Sequence, residues 1–110
     1  MEQLLWFLLA GTRGGANRLR ILDVLIDRPT NANQLARQLD LDYRTVHHHL
    51  EVLVRNRVVV NPRRDEYGSV YFVDPWVAGH PEVVARIRLH LPARSTRSGL
   101  GEILAKTQSG

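Results

Sequence analysis

Apolar positions recur at helical spacing through the first half of the chain, and the pattern changes after Asn56. In the opening run, Leu5, Leu8 and Leu9 fall on one side of a helix, while Leu4, Trp6 and Phe7 carry apolar surface around it. A helix apolar nearly all round needs cover on more than one face, which favours burial between subunits. Gly14 and Gly15 break this helix. Leu19, Leu22, Leu25 and Ile26 then recur at helical spacing until Pro29 ends a second helix near Arg28. Asn31 is a good N-cap for a third, with Gln34 placed for a capping box and Leu35, Ala36 and Leu39 on the apolar side. Asp40-Leu41-Asp42 makes a tight turn, and Asp42 can cap a fourth helix over about Tyr43–Arg55. Its stripe is Val46, Leu50, Leu53 and Val54.

Val58-Val59-Val60 then reads as a β-strand and Ser69–Val73 as its partner, joined by the polar, turn-rich NPRRDEYG. Two helices on a tight turn followed by a hairpin predict a mainly α fold with a small β-hairpin, a winged helix-turn-helix. Beyond Asp74-Pro75, Pro81 can open a helix in which Val83, Val84, Ile87 and Leu91 share a side, and Pro92 ends it. ARSTRSGLG reads as flexible linker, Leu100, Ile103 and Leu104 as a further turn or two, and the last ten residues as partly disordered. The expected division is 1–75, the winged helix-turn-helix with its N-terminal helix, and 76–110, the C-terminal helix and tail.

Length changes this picture little: 110 residues make one compact domain with a single core. Leu4–Ala10 is far too short to span a bilayer and lacks the basic flank of a secretory signal, so no membrane partner is expected. The absence of cysteine removes disulfides, thiolate metal sites and cysteine nucleophiles, and fits a cytoplasmic location. Charge matters more. The chain carries a net charge of +4, and all but one of its 15 basic residues are arginine, whose fork matches phosphates and guanine edges. Between Tyr43 and Arg64 stand Arg44, Arg55, Arg57, Arg63 and Arg64 against Glu51 alone, a local excess equal to that of the whole chain. It falls on the second helix of the turn and on the wing, the elements a helix-turn-helix presents to the major groove and its phosphates.

Three consecutive histidines lie within that region. Successive residues on a helix diverge by about 100°, so their imidazoles cannot converge on one ion within a chain. His49 falls beside Val46, Leu50 and Leu53 and reads as a core histidine with one hydrogen-bonded nitrogen; His47 and His48 point outward with Tyr43, Arg44 and Glu51. No carboxylate or nucleophile is spaced to work with them, so no catalytic residue is expected.

The stretch NANQLARQLDLDYRTVHHHLEVLVRNRVVV, continued by YGSVYF, resembles the ArsR-type winged-helix regulators, particularly their archaeal branch. Thr45, Val46, His47, His48, His49 and Leu50 follow the family pattern of a threonine-valine pair, a polar residue, then histidine or arginine, histidine and leucine. His47 stands where serine is common, and Arg57 replaces a frequent glycine. The resemblance covers roughly residues 16–73. It implies a homodimer on a palindromic operator, with Tyr43–His48 reading bases and the flanking helices forming the dimer seam. Many such regulators sense metals, but the thiolate site needs cysteines. The alternative histidine–carboxylate site on the last helix has only His80, Glu82 and His90 near its place, with the two histidines ten positions apart and able to meet only across a dimer, so neither metal nor cofactor is expected.

The sequence therefore reads as a non-enzymatic transcription regulator that binds double-stranded DNA as a homodimer. Tyr43, Arg44, Thr45, His47 and His48 would meet bases or phosphates, and Arg63 and Arg64 would grip the backbone. Leu5, Trp6, Leu8, Leu9, Val84, Ile87 and Leu91 would form the seam. The alternative is a winged-helix protein-interaction module in a transcription or replication assembly, docked through its first helix. Weaker still is a DNA binder whose first segment anchors it to a membrane surface.

Overall fold

The computed structural model describes residues 1–91; the linker, the further turn and the tail lie outside them, and the last described helix ends at Arg88, short of the stop expected at Pro92. The elements in chain order are α1 (Glu2–Ala10), α2 (Gly15–Asp27), β1 (Thr30–Asn31), α3 (Ala32–Leu39), α4 (Tyr43–Arg55), β2 (Val59–Val60), β3 (Val70–Val73), α5 (Pro75–Ala78) and α6 (Pro81–Arg88). This is a mainly helical fold with a small antiparallel sheet, consistent with a winged helix-turn-helix. The sheet has three strands in the order β1-β3-β2, one more than the expected hairpin. Thr30 lies opposite Tyr71 and Asn31 opposite Val70, so the residues just before α3 pair with the wing. Asn31 also caps α3, its Oδ1 accepting the Gln34 backbone N–H at 2.9 Å.

One core joins every layer. Leu5, Leu9, Ile21, Leu22, Leu35, Val46, Leu50, Leu53, Val58 and Ile87 are fully buried in it. The stripe expected on α2 shifts by one position, since Ile21 is buried and Ile26 is 38% exposed. On α4, Val46, Leu50 and Leu53 lie inward as expected and Val54 is only partly buried. The expected boundary at 75/76 falls inside α5, whose Val77 enters the same core.

The two helices of the turn end in the same way. At the end of α3, Leu41 N–H donates to the Ala36 carbonyl and Asp40 has φ +55°. At the end of α4, Arg57 N–H reaches the Val54 carbonyl at 3.0 Å and Val58 N–H the Leu53 carbonyl at 2.9 Å, with Arg57 at φ +61°. Both are Schellman closures, which place one residue in the left-handed region that glycine adopts most readily. The helix-to-strand turn thus forms although arginine occupies its left-handed position.

The α1–α2 corner does require glycine. Gly14 has φ +90°, and a Cβ there would lie 2.8 Å from the His49 ring and 3.0 Å from the Arg18 guanidinium. A Cβ on Gly15 would collide with the Leu9 carbonyl. These positions let α1 fold back across α2.

Candidate nucleic-acid interface

Asp42 sets the start of α4, its Oδ2 accepting the backbone N–H groups of Arg44 at 2.9 Å and Thr45 at 3.3 Å. A carboxylate here satisfies two of the donors a helix leaves free at its N-terminus and complements the positive end of its dipole. From that start, helical phase places Val46, His49 and Leu50 inward while Tyr43, Arg44, His47 and His48 are exposed. Thr45 is half-buried. Tyr43 stacks on His47, with ring centroids 5.9 Å apart and planes inclined by 29°. Among the described residues, neither Arg44 nor Arg55 is ion-paired to a carboxylate.

The wing stands beside this face. A cleft between wing and helix is lined by Asn33, Tyr43, His47, Arg64, Tyr67 and Tyr71, among others. Tyr67 at the wing tip is 94% exposed, and the Asn33 side-chain amide donates to its hydroxyl at 3.3 Å. Asn61 shapes the base of the hairpin: its amide donates to Ser69 Oγ at 2.9 Å and its Oδ1 accepts the Arg63 N–H at 3.2 Å. Tyr71 is buried below, and burial pushes its phenol above the usual range.

The wing's arginines are not free cations. Arg64 Nη2 lies 2.8 Å from Glu51 Oε1 on α4, and Arg63 Nη1 lies 3.6 Å from Glu66 Oε1. Asp65 and Glu66 follow Arg63 and Arg64 directly, so the turn from Asn61 to Gly68 is formally neutral. The local excess of charge counted as far as Arg64 therefore resides mainly on α4 and Arg57, less on the wing.

His49 sits behind the exposed face and is only 6% exposed. Its Nδ1 is 3.1 Å from Arg18 Nη1, a buried arginine that the hydrophobic pattern did not single out. Position 18 precedes Leu22 and Leu25 by one and two turns, so helical phase alone could have placed it inward. Among the described residues, Arg18 has no carboxylate partner. Its Nε donates to the Leu8 carbonyl at 3.0 Å, and its Nη2 to Thr12 Oγ1 at 2.6 Å and the Arg13 carbonyl at 3.2 Å. The Leu8 carbonyl lies in the last turn of α1, where helix carbonyls lack partners and the dipole favours a cation. Since a guanidinium only donates, His49 must accept at Nδ1 and hold its proton on Nε2. Burial, then Arg18, then His48 push its pKa below the ordinary imidazole value.

The residues assigned to a dimer seam are divided by the fold. Leu5, Leu8, Leu9, Val84 and Ile87 are buried within a single chain, while Trp6 and Leu91 are half-buried. α6 rests on α1, tied by Arg86 Nη2 to Glu2 Oε2 at 3.0 Å, and Arg88 ties it to Asp23 of α2. Exposed apolar side chains on these two elements are Phe7 of α1, 57% exposed, and Leu89 at the end of α6, 83% exposed. His80 stacks on Trp76 at 3.9 Å and His90 packs edge-on against Trp6 at 4.8 Å. Among the described residues no group of three or more histidine or carboxylate side chains is arranged to hold a metal ion.

A family model described as a helix-turn-helix domain matches residues 16–60, which span α2, the two helices of the turn and the first strand of the hairpin. No curated protein matches the chain. Among the described residues, no helix is long and apolar enough to cross a membrane.

Proposed function

We propose that this protein is a transcription regulator of the ArsR type that binds double-stranded DNA sequence-specifically, as a homodimer on a palindromic operator, in the cytoplasm and without enzymatic activity. The observation that carries the reading is the outward face of α4. Tyr43, Arg44, His47 and His48 stand exposed on a capped helix beside a wing, inside the segment that matches the helix-turn-helix model. In such a motif the second helix enters the major groove with its N-terminal residues toward the base edges. Tyr43, Arg44, Thr45, His47 and His48 meet bases or nearby phosphates, and Arg63 and Arg64 meet the backbone from the wing. The half-buried position of Thr45 suits a contact through its hydroxyl at the helix start. The seam lies on the α1–α6 side, through Phe7, Leu89, Trp6 and Leu91, with Leu5, Leu8, Leu9, Val84 and Ile87 supporting it from the core.

Selection of bound sequences from a random duplex library tests this reading. An enriched motif with two-fold symmetry, its half-sites about one helical turn apart, is the expected result. The docking alternative is favoured by one observation: Val60, Val70 and Phe72 leave an apolar face on the outside of the sheet, at 39%, 37% and 41% exposure. That reading predicts no enrichment and little binding to duplex at any salt concentration, whereas a DNA binder loses affinity steeply as salt rises.

A further inference from the structure

Glu51 is the one acidic side chain on α4, and it stands among the groups assigned to DNA. One carboxylate oxygen, Oε1, is 2.8 Å from Arg64 Nη2; the other, Oε2, is 3.9 Å from His47 Nε2. With Tyr43 stacked on His47, the side chains of Tyr43, His47, Glu51 and Arg64 form a continuous row from the start of the helix to the wing. A carboxylate in the middle of a phosphate-seeking surface repels the backbone it faces, so its presence there calls for a role.

We infer that Glu51 is a specificity-determining residue, which holds Arg64 in an internal ion pair and withholds it from DNA phosphates until the chain is seated on its operator. The inference rests on the DNA-binding reading above. A 2.8 Å contact between a guanidinium and a carboxylate is a charge-assisted hydrogen bond, stronger than a neutral one. To grip a phosphate, Arg64 must give up that partner and leave the carboxylate beside the DNA. The exchange replaces one ion pair with another and exposes a like-charge contact, so loose, sequence-independent encounters gain nothing from it. Close docking on the operator aligns the wing with the backbone and adds base contacts, which offset the loss. Arg44 and Arg55 carry no such restraint among the described residues, so they supply the basal attraction. Glu51 thereby lowers affinity for random DNA more than for the operator, and the ratio of the two is what selects a site among many competitors.

Glu51→Gln tests this cleanly, because the amide oxygen can still accept from Arg64 while the charge is gone. The full chain and its Glu51→Gln, Arg64→Ala and doubly substituted variants are titrated against a random-sequence duplex across a salt series. With thermal melts to confirm that each variant folds, four slopes are compared. Glu51→Gln should steepen the logarithmic salt dependence by about one unit and tighten random binding about tenfold at 0.1 M salt, as one more phosphate contact would. On random DNA, Arg64→Ala should lower the slope by about one unit in the Glu51→Gln background and by clearly less in the unmodified background. On the selected operator, Arg64→Ala should weaken binding. An Arg64→Ala loss of about one unit on random DNA in the unmodified background would overturn the inference, because Arg64 would already be on phosphate. A Glu51→Gln slope indifferent to Arg64 would also overturn it, leaving only a general field effect. Absence of binding to any duplex at low salt would instead remove the DNA-binding reading itself, and the inference with it.

Discussion

Arg18 donates to His49 across 3.1 Å in the interior, joining α2 to the back of the helix whose front carries the exposed histidines. The same guanidinium holds carbonyls at the end of α1 and in the corner that follows, so three helices meet on one buried cation. The arrangement works only while His49 is neutral, because protonation would set two cations against each other with, among the described residues, no buried carboxylate between them.

Acid should therefore weaken the fold in a defined window. The pKa of His49 is lowered in the folded chain from an ordinary value of 6.5, so the unfolded chain binds the proton more tightly. Stability is then full above about pH 6.5 and is lost progressively as pH falls through that value towards the lowered folded one. His49→Gln keeps an acceptor for Arg18 and removes the titration. Thermal melts from about pH 8 to pH 5 should show a falling midpoint in the unmodified chain and a flatter profile in the variant. Equal acid loss in both would clear His49 of responsibility.

Gly15→Ala should be among the most damaging single-methyl changes, because the new Cβ would collide with backbone rather than with a yielding side chain. Moving α1 away from α2 loosens Leu5 and Leu9 together, and about 1–3 kcal/mol of stability should be lost. Urea unfolding measures it directly. An unchanged midpoint would mean that the corner relaxes freely.

Arg57→Gly should have the opposite sign. Left-handed backbone costs a residue with a side chain about 1–2 kcal/mol, partly offset by the extra entropy that glycine loses on folding. A net gain of about 0.5–1 kcal/mol is expected, read as a higher denaturation midpoint at constant slope. Loss of stability would show that the Arg57 side chain contributes more than its backbone costs.

On the reading face, Arg44→Ala should cost about 1–3 kcal/mol on the selected operator if its fork meets a base. An equal loss on random DNA would make it a phosphate contact. Unaltered binding to both would remove Arg44 from the interface.

Assembly needs different substitutions from those the sequence alone suggests. Leu9 is fully buried, so a charge there would break the core of a single chain and say nothing about subunits. Phe7→Asp with Leu89→Asp alters exposed positions. The pair should yield a folded monomer with weak, non-palindromic DNA binding. Sedimentation showing a dimer after both changes would exclude this face as the seam.

Sequence periodicity located what depends on local order. The helix Tyr43–Arg55, its Asp42 cap and the opposite sense of His49 and His48 follow from the helical repeat, and the structure shows each of them. Features sustained from a distance were harder to read. β1 has two residues and exists through its ladder to β3, and α5 is four residues long and packs Val77 into the common core. Arg18 has the composition of a surface residue, and its place became clear only from the carbonyls gathered around it. Arg63 and Arg64 taken alone read as available cations, whereas Asp65 and Glu66 directly after them leave the turn neutral.

The two-residue strand has a consequence for binding. Because Thr30 and Asn31 pair with Tyr71 and Val70 while Asn31 also opens α3, the base of the wing is held by the fold itself, with no duplex present. A loose hairpin would have to surrender its conformational freedom at each encounter, at about 1–2 kcal/mol per residue fixed. Here that entropy is surrendered once, during folding, and the association step is relieved of it, which is the thermodynamic advantage of pre-organisation.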